Sequence, residues 1–234
     1  MNEFEKYETQ GQLYFEEGDI ASANKMFNKA ISVAKRDKNV DPHRIAEVLN
    51  NTGFTYRLLG NNDEAKRYLQ HALKIYRQIC QKPDGDMAIA LHNLADLVLA
   101  EGNKKQGFEY LSEELDIWKQ LKEEAQIPRV AACLRLLGHI MSDEGEYERA
   151  RRNYEQALEL RRVSLGDEHP DTAESLADLG LFCEYIGDKE SAQIYLEPAL
   201  HILRSELGSN HPFVQELEEA LQRVKPSGSG RFVN

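Results

Sequence analysis

Five glycine-centred turns at a nearly constant period constrain the fold of this chain more than any other feature. GDIASA at 18, GNNDEA at 60, GNKKQG at 102, GEYERA at 145 and GDKESA at 187 are spaced 42, 42, 43 and 42 residues apart. Glycine readily takes the left-handed backbone that ends a helix. Asp19, Asn61, Asn103 and Asp188, one residue on, suit the N-terminal cap of the next helix, with Glu146 a weaker cap. Each turn is therefore expected to join two helices. The apolar residues agree: Leu134, Leu137, Gly138 and Met141 precede Gly145, and Ala150, Tyr154, Ala157 and Leu158 follow it at helical spacing. The same ladder appears as Leu49, Gly53, Tyr56, Ala65, Leu69 and Ala72, and again as Leu176, Leu179, Gly180, Cys183, Ala192, Leu196 and Ala199. Small residues at fixed places let paired helices approach closely.

The pattern predicts an all-α chain of five helix pairs, over 3–17/20–37, 41–59/62–80, 86–101/104–122, 127–144/147–165 and 170–186/189–207. A last helix, 211–224, is expected to cap the end of the stack. Pro42, Pro128, Pro170 and Pro212 fall at or near helix starts, where a missing N–H costs nothing. We expect a single domain, 1–225, with repeats at 3–40, 41–82, 83–125, 126–167 and 168–209. Residues 226–234, PSGSGRFVN, have linker composition and form a flexible tail.

One stretch invites a chemical reading. SLGDEHPDTA, 164–173, gathers Asp167, Glu168, His169 and Asp171 within five positions. ELGSNHPFVQ, 42 residues later, keeps Leu207, Gly208, His211 and Pro212 but carries Ser209 and Asn210 in place of the acids. A frame that recurs without its carboxylates is helix punctuation: a glycine stop, then His-Pro opening the next helix. Two histidines a full repeat apart need not meet on one ion, so no metal is expected here.

Net charge is −11, a field that repels phosphate backbones and argues against nucleic acid as partner. No run approaches the roughly 20 apolar residues that span a bilayer, so no membrane insertion is expected. Cys80, Cys133 and Cys183, an odd number without a CxxC pair, read as small hydrophobes in a reducing, cytoplasmic setting. No glycine-rich phosphate loop, GxSxG or HExxH is found, and the chain is expected to be no enzyme and to carry no cofactor.

Leu134, Leu137, Gly138, Gly145, Ala150, Tyr154, Ala157 and Leu158 fill the pattern LxxLGxxxxxxGxxxxAxxxYxxAL, which resembles the tetratricopeptide repeat. The 42-residue period with LGxxHP linkers is similar to the kinesin light chain type. The resemblance covers about 3–224 and is weaker in repeat 3, where Gly107 and Glu114 replace two alanines. It implies a right-handed superhelical solenoid of antiparallel helix pairs. The first helices of such pairs line a concave groove that binds peptide segments of other proteins.

On that implication, the candidate peptide-binding residues lie on the free faces of the first helices. Repeat 1 offers Glu5, Glu8, Gln12 and Glu16, in a stretch where residues 1–20 hold six acids against one lysine. Repeat 2 offers Asn50, Asn51, Phe54 and Arg57; repeat 3, His92, Asn93 and Asp96; repeat 4, Arg135 and His139. LNNTG and LHNLA resemble the family's LNNLA stretch, which assigns to Asn51 and Asn93 the hydrogen bonding of a bound peptide's backbone. An amide donates and accepts at once, so it satisfies a peptide unit without reading its side chain. Leu136 and Asp178 stand at the corresponding places of repeats 4 and 5. The groove is expected to run from acidic at repeat 1 to mildly basic at repeats 2–4.

The expected function is a noncatalytic adaptor that holds an extended peptide in this groove. The alternative is a self-associating structural subunit, a homo-oligomer whose faces pack on copies of itself. Four further expectations concern packing. Glu114 should turn outward through a register shift at the 43-residue spacing, or else pair with Arg135. Pro198 should kink its helix. The arginines of RARRNYEQALELRR, 149–162, should form a salt-bridged outer face with Glu148, Glu155 and Glu159. Trp118 should be a core residue between repeats.

Overall fold

The computed structural model describes residues 1–121 and 126–225. Among them run eleven helices: α1 (Glu3–Glu16), α2 (Ile20–Ala34), α3 (Pro42–Leu58), α4 (Asn62–Ile79), α5 (Gly85–Ala100), α6 (Lys104–Leu121), α7 (Ile127–Asp143), α8 (Tyr147–Leu165), α9 (Pro170–Tyr185), α10 (Lys189–Leu207) and α11 (Pro212–Val224). The described residues form two compact units divided between α6 and α7. The tail 226–234 lies outside the described residues, as do 122–125 at the junction of repeats 3 and 4.

The turns are built as the residues dictate. Gly60 has φ +76 and Gly187 φ +84, backbone that any Cβ would strain. At the first of these, Gly60 N–H donates to the Arg57 carbonyl and Asn61 N–H to that of Tyr56, closing α3. The side chains of Asp19, Asn61, Asn103 and Asp188 then accept from the amides of Ser22, Glu64, Gln106 and Ser191. Glu146 makes no side-chain cap. His169 and His211 are caps too: each Nδ1 accepts the amide two residues on, Asp171 at 3.1 Å and Phe213 at 3.2 Å. The cluster at 167–171 is thus a helix start. One boundary differs by more than a residue: α2 stops at Ala34, not 37, because the Asp37 carboxylate takes the Asn39 amide at 2.9 Å and turns the chain.

In the first unit, α1 packs on α2, α2 on α3, and so on through α6. Phe4, Phe27, Ile31, Leu49 and Tyr76 fill its core with Ala23, Ala30, Ala46, Ala72 and Ala90 as close-approach points. Glycines inside first helices make the pairing tight: a Cβ on Gly53 would lie 2.6 Å from Leu69 Cγ and 3.0 Å from the Ala65 carbonyl oxygen. Trp118 is buried, and its ring lies beside Gly85 at the start of α5. In the second unit α7 to α11 pack in the same order, and Val214, Leu217, Ala220, Leu221 and Val224 of α11 are all buried.

Two packing expectations are corrected, those for Glu114 and for the arginines of α8. Glu114 does not turn outward: it is 1% exposed, accepts from Trp118 Nε1 at 3.0 Å, and lies 3.0 Å from His92 Nδ1. At Gly107, Leu99 lies where a side chain would stand. The helix of Pro198 runs unbroken from Lys189 to Leu207. Pro198 is on the exposed side, and the carbonyl it leaves without an amide belongs to Ile194, itself 67% exposed, where water serves. The arginines of α8 find partners other than Glu155 and Glu159. Arg149 pairs with Glu146, Arg151 with Asp188 and Arg162 with Asp167. Arg161 is buried, with Nη1 donating to the Asp171 carbonyl at 2.6 Å and Ser175 Oγ at 3.0 Å. It ties α8 to α9. Of the cysteines, Cys133 and Cys183 are buried and Cys80 is half-buried.

Candidate functional site

In the first unit the candidate residues lie on α1, α3 and α5, the first helices of their pairs. Neighbouring first helices are joined by polar pairs about one repeat apart in sequence. Arg44 of α3 reaches Glu5 at 3.1 Å and also pairs with Glu8. Asn93 of α5 donates to Asn50 Oδ1 at 3.0 Å. Arg57 Nη1 donates to Asp96 Oδ2 at 3.0 Å. The predicted residues Asn50, Asn93, Arg57 and Asp96 are therefore brought together in touching pairs. Asn50 and Asn93 are buried, 8% and 7% exposed, while Asn51 is half-buried.

Phe54 stands beside Arg57, whose guanidinium lies 5.0 Å from the ring centroid, and tilts against Phe15 at 5.8 Å. Gln12 is exposed and donates to Glu16 at 3.1 Å along its own helix. His92 faces Glu114 on one nitrogen, with its other nitrogen 3.9 Å from Asp96. Burial pulls the His92 imidazole down, but the hydrogen bond and charge of Glu114, with Asp96, outweigh it and hold the group above its usual value.

In the second unit, Arg135 and His139 of α7 both face Asp178 of α9, at 3.7 Å and 3.5 Å. Tyr154 Oη lies 2.9 Å from His139 Nδ1. His139, Ser142, Tyr154, Asp178, Phe182 and Tyr185 line a cavity of about 180 Å³. The stretch expected to be mildly basic is locally neutralised, because Arg57 and Arg135 each face an aspartate of the following first helix. The acids of repeat 1 likewise share Arg44. A charged ligand here competes with ion pairs already made.

Arg44, Asp178 as a charge partner, and the pair His43–Asp84 were not singled out by the sequence. His43 Nε2 lies 3.0 Å from Asp84 Oδ2, joining the starts of α3 and α5. The available signal was the period: partners 36 to 43 residues apart on successive first helices meet face to face. What this surface offers is a row of amides, an aromatic ring and paired charges.

Comparison with known proteins agrees with this architecture. The tetratricopeptide repeat model matches residues 3–78, 86–162 and 129–205. BtubC (BKLC) from P. vanneervenii superposes with a TM-score of 0.75 at 23% identity, covering 98% of this chain and 86% of that one. A putative kinesin light chain with nearly identical repeats from Podosopora anserina gives 0.72 at 19%, covering 88% and 99%. The apo form of RapI gives 0.77 at 18%, covering 94% and 82%. A Rap protein complexed with competence and sporulation factor gives 0.65 at 16%, covering 95% and 64%. At these identities the likeness is one of fold. A comparison with curated protein sequences finds no match.

Proposed function

The chain belongs to the tetratricopeptide repeat family, whose repeats serve protein–protein interaction, and on that premise we propose a noncatalytic adaptor that holds an extended peptide against its first helices. The observation that supports this reading is the contact between Asn50 of α3 and Asn93 of α5, which makes the amide-bearing faces of two repeats continuous. An extended chain rises about 3.3 Å per residue, so a few peptide units cover two adjacent helices. Asn51 is the residue best placed to bond a peptide backbone, with Asn93 sharing its second amide proton. Phe54 supplies an apolar seat, and Arg57 and Asp96 exchange each other for ligand charges. The reading of 1–225 as one repeat domain, its place in the cytoplasm and the groove roles of Glu8, Gln12, His92, Arg135 and His139 belong to the same proposal.

A displayed library of random peptides tests it. The wild-type chain should enrich extended sequences, and Asn51→Ala with Asn93→Ala should lose that enrichment by tenfold or more. Because Asn93→Ala also leaves Asn50 without its donor, Asn51→Ala alone serves as the control for folding. Equal enrichment by the wild-type and double-variant chains would sink the adaptor reading. Light scattering at two concentrations separates the self-associating alternative: an oligomer whose assembly hides Phe54 and Asn51 favours it over the adaptor.

A further inference from the structure

The starts of α3 and α5 hold a group of side chains that the peptide reading does not use. His43 opens α3 and Glu47 follows one turn later on the same face; Asp86 lies in the first turn of α5. One donor atom from each of His43, Glu47 and Asp86 lies within 4.8 Å of the others, and all three residues are half-buried. His43 Nε2 faces Asp86 Oδ2 at 3.7 Å and Asp84 Oδ2 at 3.0 Å. Burial, and then the neighbouring Asp86, push the Glu47 carboxyl above its usual value. The acids outnumber the cations here.

A second observation comes from α4. Tyr76 is fully buried, its ring meets His43 edge-on with centroids 5.4 Å apart, and its hydroxyl has no hydrogen-bond partner. After burial itself, the charges that raise this hydroxyl most are Asp86, Glu47 and Asp84. The ring contact with His43 and these charges place the hydroxyl close to the same group. A buried O–H without an acceptor calls for a group that orders those carboxylates or a water beside it.

We propose that His43, Glu47 and Asp86 bind one divalent transition-metal ion of the Zn2+ type, with Asp84 as a fourth donor. One imidazole with carboxylates suits zinc, whereas magnesium and calcium prefer oxygen alone. Tetrahedral zinc with bonds of about 2.0–2.2 Å needs donors about 3.4 Å apart, so side-chain rotations of three half-buried residues close the site. The ion takes the place of the Nε2 proton between His43 and the aspartates. Tyr76 then donates to a metal-bound carboxylate oxygen or water. Because the donors come from α3 and α5, the ion links repeats 2 and 3.

Calorimetric titration of the chelator-treated full chain with ZnCl2, and separately with MgCl2, tests this. One equivalent of Zn2+ should bind, Mg2+ should bind at least tenfold more weakly, and the melting temperature should rise with Zn2+ alone. His43→Gln and Asp86→Asn should each weaken Zn2+ binding at least tenfold. Should either variant melt early, Co2+ added to the wild-type chain gives an independent reading, a visible absorption band of a nitrogen-and-oxygen site that one equivalent of Zn2+ erases. Equal binding of Mg2+ and Zn2+, no saturation at one equivalent, or Zn2+ binding unchanged in both variants overturns the proposal.

Discussion

Single residues decide the polar interior of the third repeat. Glu114 occupies a place where other repeats carry alanine, and it remains buried because Trp118 and His92 each bond one of its oxygens. A buried carboxylate without such partners would cost several kcal/mol. His92 is faced by Glu114 from α6, Asp96 from its own helix and Arg57 from α3, with a net effect that raises it. A histidine raised on folding adds stability that is full below its unfolded value near 6.5 and is lost as pH rises through the folded value. Glu114→Gln keeps a bond to Trp118 but removes the charge. The difference in melting temperature between wild type and Glu114→Gln should therefore be largest at about pH 6 and shrink toward pH 8.5. A difference that stays constant over that range would show that the charge of His92 is not coupled to folding.

Helix pairs are set by close approach at a few small residues. Replacing Gly53 by alanine gains about 1 kcal/mol of helix propensity. The new methyl, however, meets Leu69 Cγ and the Ala65 carbonyl at 2.6 and 3.0 Å, and overpacking of this kind costs about 1–3 kcal/mol. Neither neighbour is the free end of a side chain, so the clash wins. Chemical denaturation of Gly53→Ala should show a net loss of up to about 2 kcal/mol, and a gain in stability would mean that α3 and α4 separate easily. The period, the turn glycines and the apolar ladder made these helices legible beforehand, to within a few residues at most ends. The early stop of α2 was not legible, because it rests on one local carboxylate–amide bond.

At the scale of the whole molecule, repeats depend on their neighbours for burial. In the second unit α11 covers α10 and α9 with five buried apolar residues. Deleting 212–234 should expose Leu203 and its neighbours and lower the melting temperature by several degrees, with increased binding of an apolar dye. Full retention of stability would show that α11 is not a cap. The candidate surface was only half legible at this scale. Its residues were found by resemblance and helical spacing, yet their mutual pairing was not, since Arg57–Asp96 and Asn50–Asn93 join residues 39 and 43 apart whose meeting depends on how successive first helices pack.

The sequence alone determined that this chain is a helical repeat, where its turns fall and which residues cap its helices, because those are local matters of backbone conformation and periodic burial. Tertiary packing alone decided which polar groups meet. Asn24 bonding Thr55 across α2 and α3, Arg161 buried against the start of α9, and His43 facing the aspartates of α5 each bring together groups from different repeats. A hydrogen bond or ion pair needs its partners within about 3 Å, and only the packed repeats bring residues so distant in sequence that close.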